Sequence, residues 1–274
     1  MNIDLRRYLL RIGHTDEPRA DLATLRALHA RHPAAIPFEN LSAFLGEPVS
    51  LDVPALERKL LTPGRGGWCF EQNLYFSHVL EAMGFAVTRL AARVRWNVPA
   101  NVTTARSHML LLVTLEGERY IADVGFGGLT LTAPLRLEPS IEQATPHEPH
   151  RLLFDGGKYS LQAKIADEWQ TMYVFDLTPQ EIADYEVSNW YLCNHPQSQF
   201  VKGLICARSA ADKRHALRNS RYAAHHPDGR TERRFIDSVE ELKDLLRREF
   251  EIAVPDSKAF EEKAAKMLAA DPRT

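Results

Sequence analysis

Apolar positions in the first third of the chain recur at helical spacing. Leu5, Tyr8, Leu9 and Ile12 share one helix face, and Gly13 follows as a stop. Leu22, Leu25 and Leu28 give a stripe to a second helix, predicted over residues 18–32 with Pro33 beyond its end. A third helix begins near Asp52, an N-capping residue type, and carries Val53, Leu56 and Leu60. Thr62-Pro63-Gly64-Arg65-Gly66-Gly67 can only be a loop. A fourth helix is predicted over residues 69–83, and Gly84 ends it.

After Phe85 the period changes to that of strands. Residues 85–96 are rich in alternating and β-branched positions. Segments 108–115 and 119–124 flank Glu116-Gly117-Glu118, a hairpin signal. Segments 151–154 and 158–163 flank Asp155-Gly156-Gly157, a second one, and 169–175 is a further strand. Short antiparallel strands in succession predict a small barrel or curled sheet. The last third is mixed. Thr178-Pro179-Gln180-Glu181 reads as a capping box with Pro at the first helical position, and Ser238-Val239-Glu240-Glu241 as another, opening a helix to about residue 250. A final helix follows Asp256. The class is α+β, in the order helical, β, mixed.

Composition narrows the function. Lys and Arg total 34 against 36 Asp and Glu, a net charge of −2, which favours neither nucleic acid nor an anionic membrane as partner. No apolar run approaches the roughly 18 residues of a membrane span, and the opening residues do not resemble a signal peptide. Three cysteines, Cys69, Cys193 and Cys206, with no C-x-x-C, do not form a disulfide framework. The expected compartment is the reducing cytoplasm.

In that setting the stretch Arg65-Gly66-Gly67-Trp68-Cys69-Phe70-Glu71-Gln72-Asn73 stands out. A Gly-rich loop feeds a helix, and a Cys sits at the junction. A helix N-terminus carries partial positive charge and free N–H groups, which favour the reactive thiolate. The base must come from elsewhere. His78 lies nine residues along the same helix, roughly 13 Å away at 1.5 Å per residue. His108 begins one strand of the first hairpin and Asp123 ends the other. Pairing around Glu116-Gly117 is expected to set Met109 against Asp123, so that Asp123 orients the His108 ring. That is the nucleophile, base and orienter of a catalytic triad.

These residues resemble the arylamine N-acetyltransferase family. The resemblance rests on the cysteine stretch, on Arg106-Ser107-His108-Met109, and on Asp123-Val124-Gly125-Phe126-Gly127. Ile36-Pro37-Phe38-Glu39-Asn40-Leu41 also matches, and Phe200-Val201 with Leu204-Ile205-Cys206 and Arg208 is similar in style. The likeness spans about residues 5–210 and fades beyond. It implies a helical bundle over 1–84, an antiparallel β-barrel over 85–190 and an α/β lid over 191–274. The implied arrangement is papain-like, with Cys69 on the bundle and His108 and Asp123 on the barrel. It further implies acetyl transfer from acetyl-CoA to arylamines, arylhydrazines and N-hydroxyarylamines through an acetyl-Cys69 thioester. Phe38 and Phe126 would line an aromatic acceptor pocket, with Leu204 in a lid position. Gly125 and Gly127 would line the CoA cleft.

Other readings share parts of this pattern. An amide synthase that closes macrolactams from a carrier-bound chain could use the same triad. A cysteine protease or transglutaminase shares its order, and a non-catalytic binding protein could retain the fold. Gly125-Phe126-Gly127-Gly128 lacks the G-x-G-x-x-G pattern of a dinucleotide site. His147 with His150, and His225 with His226, lack partner ligands at metal spacing, so no metal is expected. Arg65 is expected to brace its loop near Glu39.

Overall fold

The computed structural model describes residues 3–99 and 101–271. The chain opens with α1 (Leu5–Arg11) and α2 (Leu22–Ala35), each capped by an aspartate accepting a backbone N–H, Asp4 from Arg7 and Asp21 from Thr24. The short strand β1 (Phe38–Glu39) and the helices α3 (Leu41–Leu45), α4 (Val53–Leu60) and α5 (Cys69–Ala82) follow. Contrary to expectation, α2 does not stop before Pro33 but continues to Ala35. Proline removes only its own N–H. Leu25, Leu28, His29 and His32 bury that face, and Ile36 N–H still reaches His32 O at 2.8 Å.

The middle of the chain forms β2 (Ala86–Val94), β3 (Arg106–Leu115), β4 (Glu118–Ala122), β5 (Leu135–Arg136), β6 (His150–Asp155), β7 (Lys158–Ile165) and β8 (Glu168–Phe175). These seven join in the order β5-β4-β3-β2-β8-β7-β6, an antiparallel sheet curled into a nearly closed barrel. Alternation sorts the side chains of β3. Leu110 and Leu112 join the barrel core with Leu90, Ile121, Leu161 and Phe175, while Met109, Leu111 and Val113 pack with the α5 residues Phe70, Leu74 and Phe76.

The β3–β4 register differs from the expected one by a residue. Leu115 pairs with Glu118 and Leu111 with Ala122. Glu116 and Gly117 both take left-handed φ values, 52° and 83°, so the turn has two residues and Asp123 falls just beyond the ladder.

Helices α6 (Ile182–Asn194) and α7 (Gln199–Lys202) come next. The Thr178-Pro179 start is not used. Gln180 N–H is drawn onto the β2 carbonyl of Arg89 at 2.9 Å, and the helix begins instead where Asp184 accepts the Glu181 N–H at 3.0 Å. α6 runs through residue 190, the expected barrel-to-lid boundary. The remaining strands are β9 (Ile205–Ser209), β10 (Arg214–Arg218), β11 (Arg221–His225) and β12 (Thr231–Phe235), followed by α8 (Val239–Arg248) and α9 (Lys258–Ala270). Half of the Ser238 box forms: its hydroxyl accepts from Glu241 N–H, while the Glu241 carboxylate takes the Asp237 N–H at 3.0 Å in place of that of Ser238.

A five-stranded sheet, β1-β9-β10-β11-β12, ties the two ends of the sequence together. Phe38 pairs with Ala207 and Glu39 with Cys206. This stapling holds the loop before Cys69, because Gly67 exchanges backbone bonds with the β1 segment at 3.2 Å on both sides. A Cβ on Gly66 would sit 1.8 Å from the Pro37 carbonyl oxygen, a backbone atom that cannot step aside. Gly66→Ala is therefore expected to cost about 1–3 kcal/mol in urea unfolding, and an unchanged midpoint would contradict this packing.

Candidate active site

Cys69 is the first residue of α5, at the place where N–H groups have no helical acceptor. The start is held from both directions. Glu71 at the third helical position accepts the Trp68 N–H at 3.1 Å, and a Cβ on Gly67 would lie 2.6 Å from that carboxylate. Cys69 retains 5% of its exposure, and its Sγ lies 3.7 Å from Ser107 O at the start of β3.

One residue beyond Ser107, His108 is buried, with Nε2 2.7 Å from Asp123 Oδ2. This leaves Nδ1 as the nitrogen available to the thiol. Burial alone would lower the basicity of the ring. The charge and hydrogen bond of Asp123, together with Cys69, outweigh it and raise the His108 pKa to about 10. Asp123 is itself held below the ordinary carboxylate range: burial pushes it up, but His108, Asn73 and the Gly125 N–H more than offset that. Cys69, His108 and Asp123, chosen from the sequence, are thus brought together.

The support of Asp123 comes from the Cys69 helix. Asn73 lies one turn after Cys69 on α5. Its Nδ2 donates to Asp123 Oδ1 at 2.9 Å and to Met109 O at 2.7 Å, and its Oδ1 accepts the Val124 N–H at 2.9 Å. Sequence reasoning quoted Asn73 without giving it this role. The available signal was its i, i+4 spacing from Cys69.

The aromatic residues divide into two groups. Phe126 meets the His108 ring edge-on, with centroids 5.2 Å apart, and Tyr173 lies 4.9 Å from His108. Phe38 lies 6.2 Å from Phe200, which is 5.1 Å from Trp68, the residue before Cys69. Phe200 and Tyr173 were not foreseen as site residues, since nothing local marks them. Leu204 is not where it was expected. It is fully buried with Leu41, Phe44 and Leu217, whereas its neighbour Ile205 packs toward the cluster that contains Cys69. Successive residues of extended backbone face opposite ways.

The two glycines expected along the CoA cleft are closely packed. Gly125 packs on Cys69, where a Cβ would come within 2.8 Å of the Cys69 Cα. Gly127, at φ 96°, lies against the Phe38 ring. Both are buried. Arg65 reaches Glu39 with Nε and a terminal nitrogen at 3.1 and 3.0 Å, the brace foreseen from sequence. Of the histidines considered as metal ligands, His147 meets Thr132 and Ala210 O, His225 meets Thr231 and His226 meets Glu232, whereas neither ring nitrogen of the buried His150 has a hydrogen-bond partner among the described residues. Two open grooves, of about 550 and 260 Å3, lie away from Cys69, beside Arg26 and Tyr120 and beside Asn189 and Trp190.

An N-acetyltransferase family model matches residues 21–259. The chain is 44% identical to the arylamine N-acetyltransferase of Mycolicibacterium smegmatis, over 93% of this chain and 94% of that one. The chain belongs to the arylamine N-acetyltransferase family. A Salmonella typhimurium relative, named arylamine N-acetyltransferase / N-hydroxyarylamine O-acetyltransferase, is 43% identical over 85% of this chain and 83% of its own. The structure of Mycobacterium marinum arylamine N-acetyltransferase in complex with CoA superposes with a TM-score of 0.92 at 39% identity, covering 96% of this chain and 99% of that one. Family membership makes the chain an acyltransferase.

The His108 shift has a measurable consequence. Asp123→Asn removes the charge that sustains the imidazolium, so the His108 pKa, followed by NMR titration of its ring, is expected to fall from about 10 toward the ordinary histidine range, about 6.5. The sign also applies to folding. A pKa raised from 6.5 to about 10 gives stability that is full below 6.5 and lost as pH rises through 10.

Proposed function

We propose that this chain transfers an acetyl group from acetyl-CoA to the nitrogen of arylamines and arylhydrazines, and to the oxygen of N-hydroxyarylamines. The route is ping-pong, through an acetyl-Cys69 thioester. The observation that carries this reading is a nucleophile at a helix N-terminus beside a fully buried His108–Asp123 pair.

In the first half, the Cys69 thiolate attacks the thioester carbonyl. The Cys69 backbone N–H, at the unpaired end of α5, faces the developing oxyanion. The new S–C bond forms, the old C–S bond breaks, and the His108 imidazolium protonates the departing CoA thiolate. In the second half, the amine attacks acetyl-Cys69 and neutral His108 takes up its proton. Cys69 leaves as thiolate, and the thiolate–imidazolium pair is restored. Asp123 holds the ring in one orientation throughout and stabilises its charged form.

Phe38, Phe126 and Phe200 are assigned to the acceptor pocket, because flat aromatic amines are matched by aromatic walls. The helical bundle, barrel and lid supply, in turn, the nucleophile, the base pair and the pocket cover. A cytoplasmic setting suits the three cysteines, which are unpaired. Among the described residues no helix is long and apolar enough to cross a membrane.

Intact mass after brief exposure to acetyl-CoA tests the scheme. The wild type is expected to gain one acetyl group, Cys69→Ala none, and addition of an arylamine to discharge the adduct. Equal labelling of Cys69→Ala would remove Cys69 as nucleophile, and labelling only by long carrier-bound chains would favour an amide synthase. Phe200→Ala is expected to raise KM for arylamines about 3- to 10-fold, the loss of one aromatic contact, with acetyl-enzyme formation unchanged.

A further inference from the structure

Asp123 has one more partner, on an element that contributes nothing else to the proposed chemistry. The His29 ring of α2 is fully buried, and its Nε2 accepts the backbone N–H of Asp123 at 3.0 Å. An acceptor nitrogen is unprotonated, so the proton of this neutral ring is on Nδ1. Nδ1 has no hydrogen-bond partner among the described residues. The ring also meets the edge of Phe76, with centroids 6.1 Å apart. Burying an unmatched donor is unfavourable, and a leucine would fill the same space without that cost. A leucine would, however, orphan the Asp123 N–H. Only the ring's acceptor distinguishes the two.

We propose that His29 is a positioning residue for the acyl transfer: it fixes the backbone of Asp123 and so keeps the carboxylate aimed at His108. The inference rests on the proposed roles of Cys69, His108 and Asp123. Asp123 lies just past the end of β4, where the sheet no longer dictates its backbone. Four bonds from three residues replace the ladder. Asn73 holds Oδ1 and the following N–H, Gly125 N–H closes on Oδ1, and His29 holds the Asp123 N–H itself. Asn73 and Gly125 act on one side of the carboxylate, and His29 anchors the main chain behind it. Without that anchor the carboxylate can rotate away from Nε2 while the fold persists. Neutrality is required for the role. Burial, only partly opposed by Asp123, lowers the His29 pKa to about 4, so the acceptor is present throughout the working pH range.

Glutamine and methionine have similar length and shape, but only glutamine offers an oxygen to the Asp123 N–H. In His29→Gln the alkaline limb of acetyl-Cys69 formation, followed by quenched-flow mass spectrometry, is expected to stay near that of the wild type. In His29→Met it is expected to move down by about one pH unit, with kcat reduced about tenfold and the arylamine KM little changed. Leu28→Ala, on the same buried face of α2 but without a bond to Asp123, is expected to lower the unfolding midpoint and leave the pH profile in place. Coincident profiles for the Gln and Met variants would overturn the proposal. A wild type that shows no acetyl-Cys69 at all would instead overturn the reading of Cys69. If His29→Met does not fold, the 15N shifts of the wild-type ring decide. A protonated Nδ1 with an unprotonated Nε2 supports the proposal, and the opposite tautomer contradicts it.

Discussion

A carboxylate can be withdrawn completely from water only if its oxygens find charge and hydrogen bonds inside, and the arrangement around Asp123 follows from that requirement. The group has no solvent exposure, and its satisfaction draws on several parts of the chain. His108 comes from the start of β3, Asn73 from the second turn of α5, and the Gly125 N–H from the loop after β4. None of these can shift without leaving a buried charge unpaired, a change that typically costs about 3–5 kcal/mol. Asn73 and Cys69 share one helix face. Satisfying Asp123 therefore also sets where the sulfur lies relative to the imidazole.

A second buried charge disciplines the other side of Cys69. Glu39 has no exposure and is answered by Arg65, by the Leu41 N–H at 2.7 Å and by the charge of Lys59. Burial raises its pKa, but the two cations together hold it below the ordinary range. Arg65 belongs to the loop before α5 and Glu39 to β1, which pairs with β9 from far along the chain. The Gly-rich loop is thus held between an ion pair and a sheet. Its glycines are required by close approach: Gly66 to the Pro37 carbonyl, and Gly67 to the Glu71 carboxylate.

The environment of the thiol is correspondingly stiff and dry. Trp68, Phe126, Tyr173 and Phe200 surround the reacting groups with apolar surface, and Gly125 brings the loop after β4 within van der Waals reach of Cys69 itself. In low dielectric the His108–Asp123 attraction is stronger than it would be in water, and the large upward shift of His108 reflects this.

Local chemistry was legible in the sequence because it is local. The Gly-Gly loop before Cys69, the serine that caps α8, the Glu116-Gly117 turn and the change from helical to strand period each depend on neighbouring residues. They were enough to select Cys69, His108 and Asp123, and the resemblance carried by their flanking residues supplied the family. Tertiary structure decided what depends on distant partners. It carried α2 through Pro33 because packing outweighed one lost hydrogen bond, and it delayed α6 because β2 claimed Gln180. Leu204 turned into the core because extended backbone alternates, which placed Ile205 on the side of Cys69 instead, while Phe200 reaches Trp68 from α7. His29 and Tyr173 acquired their places through contacts spanning tens of residues, which no local pattern records, and Asn73 was marked only by its i, i+4 spacing from Cys69.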